Sequence, residues 1–400
     1  MSSTAAAIND AGDLGDRLPA STRSGPRYMP GLDVIRGLAI LMVLLYHGYA
    51  DHIMLFALIG TKWAQVLAGI LSLCHLGVSL FFVLSGFLIS GILIDSRTTS
   101  DYFSNFYTRR ALRIVPAYLA MLAVLFFTHN ITGRYLVVCL FYFCNMTSLF
   151  GVQNQYGPLW SLSVEEQFYL VWPFVVRKLS LRHLAMVSIG LLFFTPLLRL
   201  ALLYGPVRLH DTYFKTWDVM DFFASGCCMA LAARSSRFRP HMPKAVIPLL
   251  VSGLVLFFVP GWFAASRPTT ANIYQALSLD PFLLFFSGLV LLAYLSPGIA
   301  SIAIARPLVF LGNISYGLYL CHIFIFELVA WHWPAHIASS LGTRSAAFIE
   351  FLVQVTAAII IATISRYTFE AYFLRHKPSH HARRAVTALL EKSRKLEIQG

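Results

Sequence analysis

The chain is 400 residues long, 58% hydrophobic and 14% aromatic, and only 12% of its residues are charged; its mean hydropathy is +0.68. A charged share about half that of soluble globular proteins excludes a water-soluble domain and predicts a bilayer as the solvent. The 31 Lys and Arg against 18 Asp and Glu leave a net +13, which in a membrane protein reads as basic cytoplasmic loops and not as a nucleic-acid surface.

Residues 1–30 are polar, rich in Ser, Ala, Gly and Asp, and lack the apolar core of a secretory signal peptide. They predict a disordered cytoplasmic tail. A helix needs roughly 20 mostly apolar residues to cross the hydrocarbon, and ten such runs follow, near 32–52, 75–94, 113–128, 160–176, 184–204, 217–233, 245–262, 276–295, 309–330 and 345–365. An eleventh stretch, 135–150, is short and carries Asn145, so it is predicted to re-enter the membrane or lie at its surface.

Threading ten spans from an inside N-terminus puts 23 Lys and Arg on the cytoplasmic side and 6 outside, a bias that orients both termini inward. The fold expected is therefore an all-α integral membrane bundle of about ten transmembrane helices, spanning residues 31–366, with a basic cytoplasmic tail over 367–400. The six cysteines, at 74, 139, 144, 227, 228 and 321, sit in apolar runs. Their spacing predicts neither a disulfide framework nor a metal site.

Charged or titratable groups inside spans are costly, so each is a functional candidate that should face the bundle interior. In the first span Arg36 and His47 are eleven residues apart. At about 100° and 1.5 Å per residue they share one helix face to within about 20°, separated by about 16 Å along the axis. A snorkelling arginine or an interfacial histidine would explain either alone, but their common face argues for a shared site. The second span runs through Leu80-Phe81-Phe82-Val83-Leu84-Ser85-Gly86, where small residues permit close helix approach.

The next loop ends in Arg109-Arg110-Ala111-Leu112-Arg113 before Pro116. These residues fit positive-inside anchors, yet Arg110 and Arg113 fall on one face, and paired guanidinium forks suit phosphate. The fourth span opens with Trp160-Ser161-Leu162-Ser163-Val164-Glu165-Glu166-Gln167-Phe168-Tyr169. Glu165 is expected near the depth of His47, where a carboxylate would hold an imidazole for general-base work; one glutamate of the pair is expected to be merely interfacial. In the ninth span Ser315, Tyr319 and His322 lie on one side, at spacings of four and three. Arg199, Asp218 and Asp221 predict a structural ion pair or the lining of an external cavity, and His380-His381 a solvated pair.

Taken in order, Arg36 with His47, the Phe81–Ser90 run, the arginines before Pro116, Trp160–Tyr169 and Ser315-Tyr316-Gly317-Leu318-Tyr319-Leu320-Cys321-His322 resemble the acyltransferase-3 family of integral membrane O-acyltransferases. The similarity covers about residues 30–370. The resemblance implies essential roles for Arg36 and His47, acyl-donor binding by Arg110 and Arg113, and a motif glutamate at Glu165. It extends substrate or donor contacts to Ser85, Tyr169, Tyr316 and His322. Many relatives carry an acidic residue where this chain has Ser79, so no role is carried over there.

Together these observations predict transfer of an acyl group, acetyl above all, from cytoplasmic acyl-coenzyme A as co-substrate to a hydroxyl of a carbohydrate, glycolipid or glycosylated small molecule. His47 is the expected base, Glu165 its orienting partner, and no cofactor or metal is expected to be bound. The setting is a cell membrane, a bacterial inner membrane, with membrane lipid and no nucleic acid as partner. A polytopic secondary transporter is the main alternative, but no second copy of the Arg36 to His47 pattern marks the internal repeat it would need. A non-catalytic scaffold gives no reason for that pattern.

Overall fold

The computed structural model describes residues 29–51, 62–204, 214–266, 277–333 and 343–376; residues 1–28 and 377–400 of the two predicted tails, with His380-His381, lie outside them, whereas the start of the predicted C-terminal tail is helical, ending one helix at Tyr367 and forming another over Phe369–Leu374. All secondary structure among the described residues is helical. In chain order the helices are α1 (Pro30–Asp51), α2 (Lys62–Leu73), α3 (Gly77–Asp95), α4 (Tyr102–Phe127), α5 (Gly133–Leu140), α6 (Leu159–Lys178) and α7 (Leu181–Tyr204). They continue with α8 (Met220–Arg234), α9 (Met242–Ser266), α10 (Asp280–Leu295), α11 (Arg306–Trp331), α12 (Thr343–Tyr367) and α13 (Phe369–Leu374).

Each of the ten predicted apolar runs falls on one of these helices. Seven helical stretches among the described residues are long and apolar enough to cross a membrane. The three runs that fall short do so for visible reasons. Helix α6 carries Glu165, Glu166, Arg177 and Lys178, while α8 and α10 have 15 and 16 residues, which is shorter than the hydrocarbon by several ångströms at about 1.5 Å per residue. The chain is a multi-pass membrane protein. Its outer helices turn Phe193, Phe194 and Leu197, Ile247 and Val251, and Ile360 and Ile364 outward, as a lipid-facing surface requires.

Helix α3 is the hub, in contact with α1, α6, α8 and α10. It buries residues on every side, including Leu80, Phe82, Val83, Leu84, Phe87 and Ile89. Helix α1 lies between α3 and α11. The α1–α11 crossing is parallel and in register: Gly37 packs on the backbone of Leu308, Gly312 on that of Asp33, and ten residues further along each helix His47 meets His322. A Cβ at Gly37 would overlap the Leu308 carbonyl, and one at Gly312 the Asp33 carbonyl. Absence of a side chain is what lets the two backbones touch.

Residues 135–150 do not form a span. Helix α5 has eight residues, the chain reverses through Phe141–Phe143, and a 3₁₀ segment follows over Cys144–Phe150. Tyr142 takes a left-handed conformation with φ of 56°, uncommon for a bulky residue. Its ring stacks on Tyr118 at 4.6 Å, and its carbonyl accepts from the Gln167 side chain at 2.8 Å. The reversal also brings Cys139 and Cys144 side by side, their Cα atoms 5.2 Å apart, a proximity that the cysteine spacing did not predict.

The α1–α11 contact is testable. Gly312→Val should lower the unfolding midpoint of the detergent-solubilised protein by an amount worth about 1–3 kcal/mol or more, the usual cost of overpacking. Gly190→Ala, at a position with open space around it, should leave the midpoint nearly unchanged.

Candidate functional site

A cavity of about 300 Å³ lies among α1, α3, α4, α6 and α11. Arg36, Arg110 and Arg113 line one part of it. Arg36 is ion-paired to Asp33 one turn earlier on α1. Arg110 holds its guanidinium 5.0 Å from the ring centre of Tyr169 and 5.9 Å from that of Phe106, a cation–π arrangement that fixes the charge without neutralising it. Neither Arg110 nor Arg113 has a carboxylate partner among the described residues. Arg366 of α12 adds its field to that of Arg36 and Arg110 around Arg113. A concentration of planar, unpaired guanidinium groups is suited to an anion with several oxygens.

The middle of the cavity is held by Ser85, Glu165 and Tyr169. The Ser85 hydroxyl donates to Glu165, and the Tyr169 hydroxyl donates to Glu165 at 2.7 Å and lies 3.2 Å from the Ser85 oxygen. Ser161, Glu165 and Tyr169 are spaced at four residues along α6, so one helix stripe supplies all three to the cavity. Glu166 lines it as well. The cavity thus reaches round the helix far enough to meet both glutamates.

Beyond this middle the Ser161 and Tyr319 hydroxyls bridge α6 and α11 at 2.5 Å. The Tyr319 ring lies 6.3 Å from Phe81 and 5.7 Å from His322. His47 and His322 stand behind it: Nε2 of His322 is 3.2 Å from Nδ1 of His47. The predicted contact of Glu165 with His47 is absent, because Glu165 is already engaged by Ser85 and Tyr169. The imidazole partner of His47 is His322, fully buried, and not a carboxylate. Tyr316 lines the cavity while its hydroxyl donates to the Ile114 carbonyl at 2.8 Å, tying α11 to α4. Of the predicted residues, Arg36, Ser85, Arg110, Arg113, Glu165, Tyr169 and Tyr316 share the cavity, and His47 with His322 form a second group beside it. Ser161 was legible only as a motif residue, although its four-residue spacing to Glu165 was the signal that could have placed it.

Arg199 is a structural group. It is buried, donates to the Asp218 carbonyl at 2.7 Å, and pairs with Asp221 at 2.9 Å and Asp280 at 2.7 Å. This cluster joins α7, α8 and α10. Arg199→Met should cost about 3–5 kcal/mol in unfolding free energy, because it strands buried carboxylates. Adding Asp221→Asn and Asp280→Asn should recover much of that loss in the same denaturation assay.

A family model described as an acyltransferase domain matches residues 29–370. Among curated proteins, the chain is 28% identical over 383 residues to the peptidoglycan O-acetyltransferase OatA of Listeria monocytogenes, covering 86% of this chain and 56% of that protein. It is 27% identical over 403 residues to the O-acetyltransferase OatA of Staphylococcus aureus, covering 91% and 62%. To the putative peptidoglycan O-acetyltransferase YrhL of Bacillus subtilis it is 28% identical over 383 residues, covering 86% and 54%. The chain thus spans somewhat over half the length of these relatives. No solved structure matches it.

Proposed function

The chain belongs to the acyltransferase-3 family, and from that premise we propose that it moves an acyl group, acetyl in the first instance, from cytoplasmic acyl-coenzyme A to a hydroxyl of a carbohydrate acceptor. The observation that carries this reading is one cavity with unpaired guanidinium groups in one part and the Ser161–Tyr319 bridge in another, beside a pair of histidines. The names of the relatives favour a cell-wall glycan as the acceptor to test first. A transporter has no comparable support.

In this reading the ten helices cross the bilayer with both termini in the cytoplasm. The donor's phosphates dock on Arg110 and Arg113, with Arg36 completing the positive end. A cavity of about 300 Å³ is at the lower limit for small-ligand sites, about 300–1,000 Å³. It would take the acyl-pantetheine arm and leave the nucleotide at the cytoplasmic mouth. The acceptor hydroxyl approaches from the opposite side and gives its proton to His47 as its oxygen attacks the thioester carbonyl. Collapse of the tetrahedral intermediate breaks the C–S bond, the departing thiolate takes the proton from His47, and an ester and free thiol result. Ser85, Glu165 and Tyr169 shape the passage, and Tyr169 carries Arg110 on its ring.

Two measurements test the assignment. His47→Ala should lower the rate of label transfer from acetyl-coenzyme A to glycan by about 10²- to 10⁴-fold, the usual worth of a general base, while the protein still folds; a rate within a few fold of wild type would remove His47 from the chemistry. Arg110→Lys and Arg113→Lys keep the charge but lose the bidentate fork, so membrane orientation should persist while the donor KM rises. Arg182→Lys and Arg239→Lys, at exposed residues away from the cavity, should change neither. A donor KM that is unmoved at Arg110 and Arg113 would point to a donor without phosphates.

A further inference from the structure

The two histidines constrain each other's protons. Nδ1 of His322 lies 2.8 Å from the carbonyl oxygen of Tyr319, and Nδ1 of His47 lies 2.9 Å from that of Val43. A carbonyl only accepts, so each Nδ1 carries a hydrogen. A neutral imidazole with Nδ1–H has its lone pair on Nε2. Nε2 of His322 is therefore an acceptor, and it sits 3.2 Å from Nδ1 of His47. The Nδ1–H of His47 is shared between Val43 and His322, and the contact is consistent only in that direction. Among the described residues, Nε2 of His47 is the one ring nitrogen of the pair without a hydrogen-bond partner.

We propose that His322 is a positioning residue for His47: it accepts from Nδ1–H, fixes the ring's orientation and tautomer together with Val43, and leaves Nε2 of His47 as the basic atom of the reaction. This inference rests on the reading of His47 as the base. The geometry around the pair supports it. Its two rings are tilted 60° apart with centroids 4.9 Å apart, Phe326 closes the other side of His322 at 5.9 Å, and Tyr46 lies edge-on to His47 at 5.1 Å. No carboxylate is hydrogen-bonded to either ring among the described residues, so the orienting role falls to an uncharged acceptor. A neutral partner suits a fully buried position, where an ionised one would need its own compensation.

The side chains of Asn and Gln separate this role from plain packing. The Asn amide reaches the place of Nδ1 and keeps a bond to the Tyr319 carbonyl, but it falls short of His47. The Gln amide reaches the place of Nε2 and can accept from His47. In the full chain, His322→Asn should lower kcat about tenfold or more with the donor KM unchanged, since misplacing a base acts on the transition state and not on donor binding. His322→Gln should restore most of that loss. Independently of turnover, the ¹⁵N spectrum of histidine-labelled protein in bilayers, assigned by difference against His47→Ala, should show His47 in the Nδ1–H form, with that form less populated in His322→Asn. A wild-type His47 protonated on Nε2, or equal kcat losses for Asn and Gln, would overturn the proposal. If instead His47→Ala retains transfer while the spectrum is as expected, the pair is locked as described and the assignment of His47 as base is what fails.

Discussion

The site depends on how closely α1 and α11 approach. Two glycines in register remove the side chains that would hold the helices apart, and the backbones meet at Gly37 and Gly312. Helices clamped at one point and running parallel stay neighbours for several turns, so residues ten positions further on are brought within hydrogen-bond reach. That is where His47 and His322 stand. The histidine of α1 therefore takes its imidazole partner from α11, whereas the arginine three turns below His47 is held by its own helix, through Asp33.

Around this contact the structure separates two kinds of buried charge. At Arg199 the guanidinium is held by two carboxylates and a carbonyl, a buried joint between helices. At Arg110 and Arg113 it is supported by aromatic faces or left without a carboxylate. An arginine clasped by two carboxylates is committed to its own helices, whereas one steadied only by a ring keeps its fork free. The same residue type is thus tied into the architecture in one place and left open to the cavity in the other, and the partners decide which.

The positions of the helices were legible in the sequence because hydrocarbon imposes a length and a composition on every crossing. Part of the cavity lining was legible for a related reason, since Arg36 and Glu165 are charged where lipid tolerates little polarity; Arg110 was marked by sharing a face with Arg113, and Ser85 and Tyr169 by the family resemblance. Pairing across helices was not legible. Helical phase brings Glu165 to the right side of α6 but does not say that Ser85 and Tyr169 reach it before His47 can. Nor does it reveal that His322 fills the place expected for a carboxylate. The turn at Tyr142 escaped for a similar reason, since its left-handed backbone is held by Tyr118 and Gln167, neither adjacent in sequence.

The register of α1 against α11 also bears on how the protein is made. The partners of the histidine pair are separated by 275 positions, with most of the membrane helices between them. A ribosome delivers α1 to the bilayer first, so its glycine face and His47 must wait there without their counterpart while the intervening helices insert. Arg36 is provided for during that interval, because Asp33 lies on the same helix. His47 is not, and its second acceptor arrives only with α11. A product that stops short of α11 therefore carries the arginines and the polar stripe of α6 but leaves His47 without its imidazole partner, which only α11 supplies.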